Sequence, residues 1–300
     1  MGATMAADFV FTPKVWKDHI AAYFDKKLVF GAFALQDRTL TGAPGTTQSF
    51  PYFKAIGAAE EPAEDEALTV DKLADDSFTC TVKEVGKAVG VRKGALRKSA
   101  ATQEAIFAET QAQIGRVMAE KVDADLITEI NTGGSYVSGY VSADATDANR
   151  MTVKNIVTAR HVGFGDKQDQ SVVMFMHSLN HLDLLNVSSA GSLTANANDP
   201  FANVPGFVGR LLGMAVVITD QCPLASPIGS KLTYYAFICK ANAYGLMIAE
   251  DMEMEMDKDI LHREWIFTGT NWYGVKSFHA KINALDKKIV RMTVASSVAA

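Results

Sequence analysis

The chain has 300 residues, which is enough for one large domain or for two to three small ones. Hydrophobic residues make up 48% and charged residues 21%, an ordinary globular composition that excludes wholesale disorder. The formal net charge of −5 argues against a protein that binds nucleic acid through bulk positive charge. The 3 cysteines are too few for a disulfide framework, which fits a reducing cytoplasm, and no apolar run reaches membrane-spanning length.

The N-terminal segment is rich in aromatic residues. Pro13 stands where a helix can begin, and large apolar residues then recur at helical spacing from Val15 to Phe24. This pattern predicts a short amphipathic helix. Two interpretations remain open: the helix packs on the chain's own core, or it is an arm that packs on a neighbouring subunit.

The segment from Gln36 to about Val91 contains few large apolar residues and leads into two opposite blocks of charge. Residues 60–76 hold eight acidic residues against one base, and residues 83–98 hold six basic residues against one acid. More than fifty residues with so little core content do not fit an ordinary loop inside a compact domain. We therefore expect an extended two-stranded arm, negative at its far part and positive where it returns.

These charges also have two interpretations. A solvated face explains either block alone, whereas the two together suggest complementary contacts between copies of the chain. The residues expected at such inter-subunit contacts, including two aromatic residues of the N-terminal segment, are Trp16, Phe24, Glu60, Glu61, Glu64, Asp65, Glu66, Lys83, Lys87, Arg92 and Lys93.

The strongest helix prediction covers residues 102–131. An apolar stripe runs from Ile106 to Ile130, Ser99 or Thr102 can cap the start, and two glycines follow the end. Thirty residues correspond to roughly 45 Å of helix. The apolar spacing drifts from a strict heptad, so a coiled coil is not expected. Such a helix is a structural backbone rather than an active-site element.

Shorter elements alternate after this helix. We predict helices at 152–161 and 177–187, strands at 171–176, 234–239 and 243–248, and further strands within 261–294. A loop is expected at 190–205 and a strand after the turn at Gly213. No internal repeat interrupts this order, which is typical of a mixed α/β region.

Residues 251–260 alternate acidic residues with Met, Lys and Ile, which predicts a strand with one acidic face. Five carboxylates on one face invite a Ca²⁺ or Mg²⁺ site, but a straight strand spaces them about 7 Å apart. His177 and His181 stand four apart on a predicted helix, as two zinc ligands would, yet no third ligand is evident. The motifs of P-loop, serine-hydrolase and zinc-protease sites are missing. No catalytic, cofactor-binding or metal site is therefore expected.

The order of these parts resembles the major capsid proteins of tailed bacteriophages with the Hong Kong 97-type fold, over essentially the whole chain. The segment SVVMFMHSLNHLDLL is similar to the strand-then-helix segment of many such proteins, and GRLLGMAVVITDQCP is similar to the strand that follows. Each motif is moderately specific, and their order and spacing carry the resemblance.

The resemblance implies an α+β, Hong Kong 97-like capsid fold. In its terms residues 1–35 form an N-terminal arm and 36–91 an extended β-hairpin, the E-loop. Residues 92–150 form the peripheral (P) domain with the spine helix at 102–131, and residues 151–256 form the axial (A) domain. The C-terminal strands at 257–300 return to the P domain.

The resemblance further implies a non-enzymatic coat protein without cofactors. It would self-assemble as hexamers and pentamers into an icosahedral head around double-stranded DNA, with no membrane involved. The protein would be located in the virion after assembly in the host bacterial cytoplasm. Separate scaffolding, portal and decoration proteins are potential partners.

Two departures from the family modify this expectation. No long charged helix precedes the arm, so a fused scaffolding segment is not expected. No residues match the family's covalent Lys–Asn cross-link, so a non-covalent shell is expected. Two alternatives stay open: a nanocompartment shell that holds an enzyme cargo, and a metal-dependent enzyme that uses the acidic strand with His177 and His181.

Overall fold

The computed structural model describes residues 28–42, 44–54, 56, 59, 61, 70–98, 102–132, 137–140, 150–165, 171–186, 199–226, 231–278 and 288–299. The predicted N-terminal helix, with Trp16 and Phe24, lies outside the described residues. Glu60, Glu64, Asp65 and Glu66 lie outside them as well.

The described chain contains helices and strands in a mixed order. The helices are α1 (Lys93–Lys98), α2 (Gln103–Thr132), α3 (Val153–Phe164) and α4 (Ser178–Asn186), with a 3₁₀ turn at Gly31–Phe33. The strands are β1 (Leu35–Asp37), β2 (Thr47–Phe53), β3 (Asp75–Thr81), β4 (Lys83–Arg92), β5 (Val137–Tyr140), β6 (Ser171–Met176), β7 (Phe207–Leu211), β8 (Met214–Ile218), β9 (Lys231–Lys240), β10 (Tyr244–Asp259), β11 (Glu264–Ser277) and β12 (Ile289–Ala299). None of the described helices is both long and apolar enough to cross a bilayer.

These strands form three sheets. A four-stranded sheet has the order β1-β10-β11-β4, and a six-stranded sheet has the order β5-β12-β9-β6-β8-β7. Strands β2 and β3 form a separate antiparallel hairpin. Of the C-terminal strands that were expected to return to the P domain, β11 lies in the four-stranded sheet and β12 in the six-stranded one.

Helix α2 has the apolar stripe that the sequence predicts, and it packs this stripe on the four-stranded sheet. Phe107 meets Phe267 of β11 with ring centroids 4.9 Å apart. Ile114 lies so close to β11 that a Cβ on Gly269 would stand 2.7 Å from its side chain. The helix and the strand therefore need a glycine at their closest approach.

The six-stranded sheet is buried on both faces. Along β6, Val173 and Phe175 belong to the core shared with α2, whereas Met174 and Met176 belong to a second core beneath α3 and α4. A strand buried on both faces has no polar side to expose, which explains the unbroken apolar run at 172–176.

Three predicted strands differ in detail from the structure. The strand predicted after the turn at Gly213 is β8, and it pairs with a further strand, β7, in a hairpin whose two turn residues Leu212 and Gly213 have φ of 53° and 83°. Two positive φ values define the tight turn that suits the twist of a β-hairpin. The strands predicted at 243–248 and 251–260 are one strand, β10, with register shifts between Ile248 and Glu253.

A buried carboxylate ties the N-terminal part of the described chain to α2. Asp123 is 1% exposed and accepts backbone N–H bonds from Val29 at 2.7 Å, Phe30 at 3.1 Å and Gly31 at 3.2 Å. Burial raises the pKa of Asp123 to about 6, although these three bonds act to lower it. The Asp123 carboxyl in the folded chain therefore binds a proton more tightly than an ordinary Asp carboxyl, whose pKa is 3.8.

This shift predicts a pH-dependent contribution to stability. Because the folded-state pKa is the higher one, the contribution is fully present below about pH 4 and is lost as the pH rises through about 6. A shift of about two units corresponds to about 3 kcal/mol. Urea unfolding of the unassembled chain should show the difference in unfolding free energy between wild type and Asp123→Asn falling by this amount from pH 4 to pH 7. A difference that grows with pH would contradict the assignment.

Candidate functional site

The β2–β3 hairpin is anchored at its base by aromatic packing. Phe278, just after β11, meets Phe50 and Phe78 with ring centroids 5.1 and 5.5 Å away. A Cβ on Gly274 would stand 2.8 Å from the Sγ of Cys80. The base of the hairpin therefore lies directly against β11, and only glycine fits at the contact.

The far end of the same hairpin exposes apolar side chains. The ladder extends past the strands, since the Lys54 N–H donates to the Ala74 carbonyl oxygen at 2.8 Å. Large apolar residues there are widely exposed: Phe53 at 69%, Ile56 at 65%, Val70 at 88% and Leu73 at 66%. Clustered exposed apolar groups mark surfaces that bind another molecule.

Strand β4 does not belong to this arm. It pairs antiparallel with β11 along its whole length, from Lys83 opposite Tyr273 to Arg92 opposite Glu264. The basic block at 83–98 therefore lies on the four-stranded sheet and on α1. This corrects the expectation of one arm that carries both blocks of charge.

Lys83 is held within its own chain. Its Nζ lies 2.8 Å from the carboxylate of Asp125, which also binds Lys121 at 2.7 Å and the hydroxyl of Tyr273 at 2.7 Å. Burial opposes ionisation of Asp125, but the bonds from Lys121, Lys83 and Tyr273 outweigh it and lower its pKa. An inter-subunit role for Lys83 remains a prediction.

A double-mutant cycle separates the two roles of Lys83. Lys83→Met and Asp125→Asn should show a coupling of about 0.5–1 kcal/mol in the unfolding free energy of the unassembled chain, because Asp125 is mostly buried. Lys87→Met, on the same strand, should change stability by less than about 0.5 kcal/mol. Zero coupling in urea unfolding would show that the pair does not stabilise the fold.

Further basic residues gather in an open cleft of about 920 Å³ between α1, the end of β4 and the β10–β11 turn. We call this surface the basic cleft; its charged lining comprises Arg92, Lys93, Arg97, Lys258, His262, Arg263 and the single acid Glu264. The Lys93 N–H donates to the Arg263 carbonyl oxygen at 3.0 Å, which joins the two sides. The structure thus brings Arg92 and Lys93 together, while Lys87 lies outside the cleft lining.

The acidic strand has the predicted alternation. Met252 of β10 is buried toward α2, whereas the acids from Asp251 to Asp257 are exposed. Asp251 forms an ion pair with Arg38 at 2.8 Å. Glu61, the described member of the predicted acidic contacts, is exposed.

One group of three potential metal ligands occurs among the described residues: Asp259, His262 and Glu264, with ligand atoms within 4.8 Å of one another. The Asp259 carboxylate already has hydrogen-bond partners in the turn, since it accepts bonds from the backbone N–H groups of Leu261 and His262. Its bond to the His262 ring raises the pKa of His262. The surrounding cationic side chains disfavour a metal ion, so this group stabilises the turn.

His177 and His181 do not form a zinc site within the described part of the chain. The His177 ring stacks on Tyr234 at 3.7 Å and its Nδ1 accepts the Leu179 N–H. Burial lowers the pKa of both histidines. The helix predicted at 177–187 is present as α4, which begins at Ser178, so His177 stands just before the helix and His181 within it.

Comparison with known proteins identifies the family. Residues 24–268 match the family model described as Gp13-like, major capsid protein 13-like. The chain belongs to this major capsid protein family. It is 26% identical over 247 residues to the major capsid protein of Staphylococcus phage phiMR11, covering 82% of each chain.

Solved structures share the fold. The capsid of Ralstonia phage GP4 superposes with a TM-score of 0.70 at 11% identity, covering 92% of this chain and 91% of that one. The cyanophage Pam1 capsid gives 0.67 at 14% identity, covering 90% and 93%. The fold is therefore the mixed helix-and-sheet fold of phage capsids, consistent with the Hong Kong 97-like class. The family is a structural one, and the chain is a capsid shell protein of the phage virion.

Sequence reasoning missed two features. Lys258, His262 and Arg263 stand more than 150 residues after Arg92, and no local pattern links them to it. Asp123 carried a signal, since an acidic residue between Val122 and Leu126 interrupts the apolar side of α2.

Proposed function

We propose that the β2–β3 hairpin is the arm by which one capsid subunit holds the next in the shell. The arm is rooted on β11 by Phe50, Phe78 and Phe278, so its direction is set by the folded subunit. Its far end exposes Phe53 and Val70 to water. In a single subunit these side chains contribute no hydrophobic stabilisation. A neighbouring subunit would cover this surface. The exposed end of a rooted arm is the observation that carries the proposal.

The proposal assigns the family's parts as follows. The hairpin is the E-loop, and α2 with the four-stranded sheet is the P domain. The six-stranded sheet with α3 and α4 is the A domain, and the residues before 36 are the N-terminal arm, with Trp16 and Phe24 on a neighbour. These boundaries follow the sheets, so β4 and β10 move to the P domain and β12 to the A domain.

The shell we propose is an icosahedral head of hexamers and pentamers around double-stranded DNA, held without covalent cross-links. Each arm contributes many weak contacts, which together close a shell yet remain reversible during assembly. Assembly takes place in the host cytoplasm, with separate scaffolding, portal and decoration proteins as partners. The net charge of −5 limits adhesion to the enclosed genome.

Removing the arm's far end tests this function. Because Lys54 and Ala74 are joined by a hydrogen bond, residues 55–73 can be replaced by Asn-Gly, a two-residue turn that keeps the ladder. We expect a folded, soluble chain that forms no closed shells in negative-stain electron microscopy. Wild-type particles should carry nucleic acid, which distinguishes a phage head from a nanocompartment.

A second variant guards against an effect of the shortened loop. Phe53→Ser with Val70→Ser and Leu73→Ser keeps the length of the arm and should also prevent closure. Val157→Ser with Val162→Ser, on exposed positions of α3, provides the control for loss of apolar surface. Normal shells from both arm variants would refute the proposal that the β2–β3 hairpin holds the next subunit.

A further inference from the structure

We infer that residues Leu28–Gly31, which we call the strap, form a pH-sensitive closure over the carboxylate of Asp123 and open locally when that carboxyl ionises. The strap is the first described segment of the chain, and it follows directly on residues 1–27. Its opening therefore changes where the N-terminal segment is attached to the folded subunit. This device lies within a single subunit and does not depend on the proposed role of the β2–β3 hairpin.

The strap binds both oxygens of the Asp123 carboxylate. The Val29 N–H donates to Oδ2 at 2.7 Å, and the N–H groups of Phe30 and Gly31 donate to Oδ1 at 3.1 and 3.2 Å. Asp123 is 1% exposed, and within the described chain no cationic side chain forms an ion pair with it. The strap amides are thus the groups that replace water around this carboxylate, and lifting the strap exposes it to solvent.

The strap is held by contacts separate from those that hold the strand after it. The Phe30 carbonyl oxygen accepts the Tyr244 hydroxyl at 2.9 Å, and the Phe30 ring packs on Phe175. Strand β1 is held by its own pairing with β10 and by the ion pair between Arg38 and Asp251 that follows it. A short segment with few contacts opens at a lower cost in free energy than the whole fold does. The strap can therefore open while β1 stays in its sheet.

The carboxyl of Asp123 is the group beneath the strap whose charge changes near neutral pH. The strap itself and the facing Phe175 contain no ionisable side chain. Burial raises the pKa of Tyr244 on β10 and of the nearby Cys239 on β9, so both stay neutral. The charged residues beside Asp123 on α2 already pair with one another: Glu120 with Arg116, and Lys121 with Asp125. Protonation of Asp123 therefore controls the net charge beneath the strap.

The sign of the pH effect follows from the two environments of Asp123. With the strap closed, burial raises the pKa of Asp123 to about 6, and with the strap open the solvated carboxyl returns toward its ordinary value of 3.8. Ionisation thus favours the open strap, so closure is strongest below about pH 4 and weakens as the pH rises through about 6. Between pH 4 and pH 7 the equilibrium constant for opening should rise about 50-fold.

Hydrogen exchange of the full, unassembled chain tests this device. The protection factor, the ratio of intrinsic to observed exchange rate, should fall about 50-fold for the strap amides between pH 4 and pH 7. At either pH, 1 M urea should change this protection less than about twofold, because local opening exposes little surface, whereas protection of β6 should fall at least about tenfold. Strap protection that does not vary with pH would overturn the inference. Strap and β6 amides with equal protection and equal urea dependence would also overturn it, since both would then exchange only through global unfolding.

Two variants assign the pH dependence to one side chain. Asp123→Asn keeps an acceptor oxygen but cannot ionise, so its strap protection should stay within about threefold between pH 4 and pH 7. Tyr244→Phe removes the bond to the Phe30 carbonyl and should lower protection about fivefold at both pH values, with the pH dependence retained. A pH dependence that survives Asp123→Asn, or one that disappears in Tyr244→Phe, would overturn the role of Asp123. The wild-type and Tyr244→Phe measurements test the strap even if Asp123→Asn does not fold.

Discussion

The fold depends on a charge that is buried where three parts of the molecule meet. The carboxylate of Asp123 is almost without solvent, and three successive backbone N–H groups at residues 29–31 replace its water. Such a group is costly to bury and is tolerated only with hydrogen bonds of this kind. The hydroxyl of Tyr244 adds a bond to the Phe30 carbonyl at 2.9 Å. From this point β1 joins β10, and the Phe30 ring reaches Phe175 at 4.5 Å. Helix α2 and both sheets are thereby joined at one place.

The charged residues divide into those that position elements within the chain and those left for other molecules. On α2, Asp125 holds Lys83 of β4, and Glu129 lies 3.3 Å from Lys276 of β11, so the helix is oriented on its sheet by charge as well as by apolar packing. In the basic cleft, Lys93, Arg97 and Arg263 have no carboxylate partner among the described residues. A subunit whose internal charges are paired within its own chain can fold alone. Its unpaired surface cations are then available for contacts with other molecules during assembly.

The arm shows the same division in apolar contacts. Its base is buried by rings at Phe50, Phe78 and Phe278, and its end exposes large side chains. A rooted base sets the direction of the arm, which lowers the conformational entropy lost when the end binds. Burial of the exposed end against another subunit supplies the favourable hydrophobic free energy of that contact. Folding and assembly therefore use different parts of one hairpin.

The sequence alone determined the elements whose patterns are local. The stripe of α2, the doubly buried strand β6 and the alternation of β10 follow from side-chain periodicity, and their order indicated the capsid class. The tertiary structure decided what periodicity does not encode, which is the partner of each strand. Arg92 meets Glu264 across more than 170 residues, and β4 therefore leaves the arm for the sheet. The basic cleft and the role of Asp123 exist only after that pairing, because backbone bonds and packing between distant segments bring these groups together.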